Sequence, residues 1–201
     1  MRIGFLASHG GSTMQTVIDA CRARTLPATP AVVICNTRDA EALTRARREG
    51  IPACHLSSAT HPDPTALDHA IADALARHGV GVVLLAGYLK KLGPRAIARF
   101  HGRILNVHPA LLPRFGGRGM YGIRVHEAVL ASGDRETGVT IHLVDEEYDH
   151  GAIVAQCRMP VEPADTAETL SARVLARGHR FVVETLTSIA TGALNLPETV
   201  G

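Results

Sequence analysis

Short apolar runs that alternate with amphipathic helical stretches set the architecture open to this chain. Arg2–Ala7, Ala31–Cys35, Ala53–Leu56 and Val80–Leu85 read as strands, and the segment from Ile104 reads as another that Pro109 stops. Val80–Leu85 is apolar nearly throughout, as expected for a strand covered on both faces. Between the runs, Met14, Val17, Ile18 and Cys21 recur at helical spacing, as do Leu67, Ile71, Ala74 and Leu75. This alternation implies an α/β fold with a mostly parallel, doubly wound sheet. Further on, Val139, Ile141 and Leu143 alternate with Thr140 and His142, and a tight loop leads from Gly138–Val144 to Ala152–Met159. Those two strands should form an antiparallel edge near the C-terminus. Ile123–Ser132 reads as a helix with Val125, Ala128 and Val129 inward, and a last helix, about Thr166 to Ala190, turns Leu170, Val174, Val182, Leu186 and Ile189 inward. At 201 residues, one domain spanning 1–201 is expected.

Composition narrows the function. A net charge of +2 without a long Lys/Arg run argues against a nucleic-acid surface, and the absence of Trp leaves few platforms for stacked bases. Cys21, Cys35, Cys54 and Cys157 are scattered through apolar segments with no C-x-x-C pair, so neither a disulfide framework nor a metal site is expected. No apolar run reaches membrane-spanning length, and the chain opens directly on a strand rather than a signal peptide. A reducing, cytoplasmic setting is the expectation.

Asn106 and His108 stand two apart on one strand, so their side chains share a face. They sit at its carboxyl end, where open α/β sheets bind ligands. An amide N–H can stabilise a developing oxyanion, and an imidazole can move a proton near neutral pH. Either residue alone is commonly a turn former or a surface group. Ser8–Thr13 joins the first strand to the first helix through small residues, which reads equally as a tight turn or as an anion cradle, with Ser12 or Thr13 as N-cap or phosphate ligand. Ala86–Pro94 should border the same crevice. The glycine-rich run Arg114–Gly122 reads as a mobile loop able to close over a substrate, or as an ordinary surface loop.

The run Asn-x-His-Pro-x-Leu-Leu-Pro at 106–113, with Gly138–Val144 and the following Tyr148-Asp149-His150-Gly151, resembles the signatures of the folate-dependent formyltransferases. The resemblance covers nearly the whole chain and implies a single Rossmann-like formyltransferase domain. It implies transfer of a formyl group from 10-formyltetrahydrofolate to a primary amine, first of all the glycyl amine of glycinamide ribonucleotide in de novo purine synthesis. It further implies a catalytic trio of Asn106, His108 and Asp149, the last raising the pKa of His108 and ordering a water that shuttles a proton. By the same resemblance Gly11, Ser12 and Thr13 hold the acceptor's phosphate, while Gly87 and Pro109 line the path to its amine. Leu89, Lys90, Lys91 and Leu92, with the backbone of Val144, Asp145, Glu146, Glu147 and Tyr148, would hold the folate. The implied partner is a small, phosphorylated amine, with no nucleic acid, membrane or metal, in a monomer or homodimer.

The chain departs from the family pattern in three places. Its first turn reads Ser-His-Gly-Gly-Ser-Thr where relatives more often have Ser-Gly-x-Gly-Ser-Asn, and Ala110 replaces a usual Ser. Gly178 stands where relatives carry an acid that contacts the acceptor's ribose; a lost charged hydrogen bond there costs about 1.5–3 kcal/mol. Formyl transfer to a different amine is therefore the alternative. Hydrolysis of 10-formyltetrahydrofolate and a non-catalytic folate- or nucleotide-binding protein are further ones, although the hydrolase relatives carry an added regulatory domain. A nicotinamide oxidoreductase would need a glycine fingerprint that is missing.

Overall fold

A computed structural model describes residues 1–197. Seven strands, β1 (Arg2–Ala7), β2 (Thr29–Cys35), β3 (Ala53–His55), β4 (Val82–Leu85), β5 (Ile104–His108), β6 (Glu136–Leu143) and β7 (Ile153–Pro160), form one sheet in the order β3-β2-β1-β4-β5-β6-β7. Strands β1 to β5 pair in parallel. Helices α1 (Ser12–Arg22), α2 (Glu41–Arg48), α3 (Pro64–Arg77), α4 (Pro94–Arg99), α5 (Ile123–Ser132) and α6 (Ala167–Ala190) cover both faces. Among the described residues, no helix is long and apolar enough to cross a membrane.

The period of two along the strands divides the apolar side chains between two cores. Phe5, Val33, Cys35 and Leu84 face α1, α2, α5 and α6, whereas Leu6, Val32, Ile34, Val83 and Leu85 face α3 and α4. Chain direction across the sheet reverses between β1 and β4, which opens a crevice at their carboxyl ends. One wall of that crevice is anchored from below. The buried carboxylate of Asp68 accepts hydrogen bonds from the amides of Arg95 (2.8 Å) and Ala96 (2.9 Å), capping α4 and holding the segment after β4 in place.

The antiparallel part is wider than the strand patterns suggest. β6 pairs antiparallel with β7 as expected, but β5 also pairs antiparallel with β6. The register sets Asn106 opposite His142 and His108 opposite Thr140. Directly opposed residues share a face, so four polar side chains project together. On α5 the buried face is Val125, His126 and Val129, with Ala128 half-buried, and Ile189 on α6 is likewise half-buried.

Candidate active site

A cleft of about 710 Å³ runs along the carboxyl ends of β1, β4 and β5. Its floor holds three groups drawn from two distant segments. Asn106 Nδ2 lies 3.4 Å from Asp149 Oδ1, and His108 Nδ1 lies 3.5 Å from Asp149 Oδ2. Asp149 reaches this point from the loop after β6. Its φ of 56° is a left-handed value that Asp tolerates better than most residues, so the loop aims the carboxylate back over β5.

The glycine-rich loop closes the other side. The amide of Gly117 donates to Asp149 Oδ2 at 2.9 Å. A Cβ on Gly116 would lie 2.4 Å from a terminal methyl of Leu112 and 3.1 Å from Asp149 Cβ, so any larger residue would require the Leu112 side chain to move aside. Thr140 secures the turn beneath: it donates to the carbonyl of Ala110 (2.6 Å) and accepts from the amide of Leu112 (3.1 Å).

Carbonyl partners settle the proton positions on both rings. His108 Nε2 lies 2.7 Å from the carbonyl of Phe115, which can only accept, so Nε2 carries a proton and Nδ1 is the atom that gains or loses one beside Asp149. His142 Nδ1 lies 2.8 Å from the carbonyl of Leu143 and carries its proton there. In the neutral ring, Nε2 then accepts from Asn106 Nδ2 at 3.0 Å. His142 also stands 3.5 Å from Asp149 Oδ1. It thus orients the amide and touches the carboxylate, a role that no motif assigned; its alternation against Ile141 was the available signal.

Electrostatics amend one expectation. Burial holds the His108 imidazole below its ordinary pKa, outweighing the pull of Asp149 and of the Phe115 carbonyl in the other direction, with His142 adding to the lowering. Asp149 was expected to raise His108; it does favour the charged form, but a ring only 3% exposed is neutral at pH 7. Burial works against ionisation of Asp149 too, yet His142, His108 and the Gly117 amide together keep its carboxyl below the usual range. The resting pair is therefore carboxylate and neutral imidazole.

The same burial makes stability depend on pH. Burial lowers His108, His126 and His179, so in mild acid the unfolded chain binds protons that the folded chain refuses. Stability should fall as pH drops from about 6.5 toward the folded values. His150, raised by its hydrogen bond to Asp145, acts in the opposite sense, but it is exposed to solvent and screened. A lower melting midpoint at pH 5 than at pH 7 is the expected result of thermal scans; a higher one would contradict these shifts.

At the β1 end, Gly11 N-caps α1 with φ 69°, and no side chain caps the helix. A Cβ on Gly11 would lie 2.9 Å from that of Ala42. The first-turn amides of Ser12 and Thr13 are left to an outside acceptor, an arrangement that suits an anion. His179 of α6 approaches the same turn, with Nε2 3.3 Å from Ser12 Oγ. Gly11, Ser12, Thr13, Gly87 and Pro109 all line the cleft, as do Leu89 and Tyr148. Ser8 ties the two loops together, donating its amide to the carbonyl of Gly87 and accepting from the amide of Leu89.

The remaining folate-side residues lie off the cleft surface. Lys90 and Lys91 are exposed, and Leu92 is buried in the α3–α4 core. Val144 donates its amide to the carbonyl of Ile104, and Asp145 accepts from the amide of Glu147 and pairs with His150. Glu146 and Glu147 are exposed. Sequence reading missed Val174, Leu175, Ser171 and His126 as wall residues, because apolar helix positions look like core and His126 matches no motif. Among the described residues, no cluster of three His, Cys, Asp or Glu side chains is disposed to hold a metal.

The formyl transferase family model matches residues 1–186. The chain belongs to that family. It is 41% identical over 189 residues to the chloroplastic phosphoribosylglycinamide formyltransferase of Arabidopsis thaliana, covering 94% of this chain and 65% of that protein. The phosphoribosylglycinamide formyltransferase of Haemophilus influenzae is 37% identical over 197 residues, covering 98% and 91% of the two chains. Among solved structures, glycinamide ribonucleotide transformylase 1 from Symbiobacterium toebii superposes with a TM-score of 0.89 at 39% identity, over 99% of this chain and 92% of that one. The formyl transferase fold thus accounts for the whole sheet, including its antiparallel side.

Proposed function

We propose that this family member transfers a formyl group from 10-formyltetrahydrofolate to the glycyl amine of glycinamide ribonucleotide, a cytoplasmic step of purine synthesis carried out by a single domain spanning 1–201. The observation that carries the reading is the meeting of Asn106, His108 and Asp149 on the floor of one cleft, within 3.5 Å of Asp149 in each case. The names borne by the relatives favour this acceptor over a different amine.

The acceptor's own amine is the nucleophile, so the protein needs no covalent nucleophile. Attack on the formyl carbon builds negative charge on its oxygen. The amide of Asn106 is the donor at hand, since its 3.4 Å contact with Asp149 is long and easily exchanged for a substrate oxygen. As the amine bonds to carbon, its nitrogen becomes acidic. His108 can take a proton at Nδ1, where Asp149 stabilises the charge, or Asp149 can pass it through a bound water to the departing folate nitrogen. Neutral His108 and ionised Asp149 are the forms such a relay starts from.

The bare amides of Gly11, Ser12 and Thr13 suit the acceptor's phosphate, with Gly87 and Pro109 along the path to its amine. Leu89 and Tyr148, both nearly half exposed at the mouth, suit the flat pterin, with Lys90, Lys91, Leu92 and the backbone of 144–147 around it. A purified sample given 10-formyltetrahydrofolate and glycinamide ribonucleotide should yield deformylated folate and formylated acceptor in equal amounts. Formate without formylated acceptor would instead indicate hydrolysis, and folate binding without turnover would indicate a silent binder.

A further inference from the structure

The wall around the start of α5 carries charge that the formyl-transfer chemistry does not use. Arg118, in the glycine-rich loop, and Arg124, in the first turn of α5, both line the cleft and are exposed. Among the described residues that line it, they are the only Lys or Arg side chains. Neither forms an ion pair among the described residues. Arg124 stacks over Tyr121, with its guanidinium carbon 5.4 Å from the ring centre, and Tyr121 lines the cleft too. A guanidinium held this way keeps its N–H donors free for an anion.

Local structure does not call for these cations. A positive side chain in the first turn of a helix opposes the macrodipole, and α5 has neither an acidic residue there nor a side-chain cap. Its uncapped amides add to the positive potential of the arginines. Asp149, the one carboxylate that lines the cleft, is already engaged by the Gly117 amide and stands beside His108 and His142. Two arginines against one engaged carboxylate leave the cleft cationic.

The fold places this charge on the acceptor's side. Helix α5 packs against α6, and α6 packs against α1, whose bare amides suit a phosphate. That turn brings little full charge of its own, since burial keeps His179, the ring beside Ser12, below its ordinary pKa. The folate side, at Leu89 and Tyr148, has separate cations in the exposed Lys90 and Lys91. We propose that Arg118 and Arg124 form a cationic wall that attracts the phosphorylated acceptor and holds it against the amides of α1. The inference rests on the formyl-transfer reading above. Low-dielectric walls focus the field of such charges across a cleft, so the guanidinium groups act on the phosphate without having to touch it.

The test compares wild type with Arg118→Gln, Arg124→Gln and the double variant. Calorimetric titration with glycinamide ribonucleotide at low and high KCl, the KM for each substrate and the melting midpoint are measured. The double variant should bind the acceptor about tenfold more weakly at low salt and raise its KM to match, with each single variant in between. Raising KCl from about 50 to 500 mM should weaken wild type several-fold more than the double variant, because salt screens the charge that the variant lacks. The folate KM should stay within about twofold, and the melting midpoint within about 2 °C, as both side chains are exposed. Acceptor affinity of the double variant within about twofold of wild type, a loss that salt does not diminish, a matching rise in the folate KM, or a larger fall in the melting midpoint would each overturn the proposal. Wild type that binds the acceptor but transfers no formyl group would sink the formyl-transfer reading and leave the affinity comparison decisive, whereas wild type that binds no acceptor would sink both.

Discussion

Asp149→Asn is expected to lower kcat by about a thousandfold in a protein that still folds. Asn accepts the left-handed backbone of residue 149 as readily as Asp, and its carbonyl oxygen can still take the Gly117 amide, so the loop keeps its course. What disappears is the negative charge. That charge stabilises a proton on His108 Nδ1 and is the natural base for a water relay, and losing a positioned acid or base costs about 10² to 10⁴ in rate. The same substitution removes the main influence that raises the His108 pKa, so an NMR titration should find His108 lower still in the variant. A folded Asp149→Asn protein with kcat within tenfold of wild type would remove Asp149 from the chemistry.

Asn106→Ala should reduce kcat by roughly a hundredfold to a thousandfold, the usual cost of one oxyanion donor, with the KM of either substrate changed far less. The change leaves His142 Nε2 and Asp149 Oδ1 without their amide donor, but Asn106 is only half-buried and water can replace it. The stability loss should stay near 1 kcal/mol. A melting midpoint close to wild type combined with near-normal turnover would show that the amide is not an oxyanion donor.

Much of this arrangement can be read from the chain. The alternation of apolar runs and amphipathic stretches gives the parallel sheet, because a strand buried on both faces and a one-faced helix leave distinct periodicities. Asn106 and His108 could be paired from their spacing alone, since two residues apart on a strand means one face. Asp149 could not: it arrives from another segment through a left-handed backbone, and only the resemblance to a family singled it out. His142 was visible as the polar half of an alternating strand, but its place beside Asn106 depends on the β5–β6 register, which no local pattern encodes. Asp149 raises the pKa of His108 as expected, but burial lowers it by more. A neighbouring carboxylate can be anticipated from sequence, whereas the extent of burial is a property of the packed whole. His126 shares the buried face of α5 with Val125 and Val129, and a polar residue on that face leaves no periodic signal of its own.

Whether Asn106 and Asp149 serve a single tetrahedral centre is read from a double-mutant cycle on formyl transfer. Groups that act as a unit lose little more together than the more damaging change costs alone. Asn106→Ala/Asp149→Asn should therefore retain kcat/KM within about tenfold of Asp149→Asn by itself. A loss equal to the product of the two single losses, about 10⁵ or more, would mean that the two residues act independently and do not share one reacting centre.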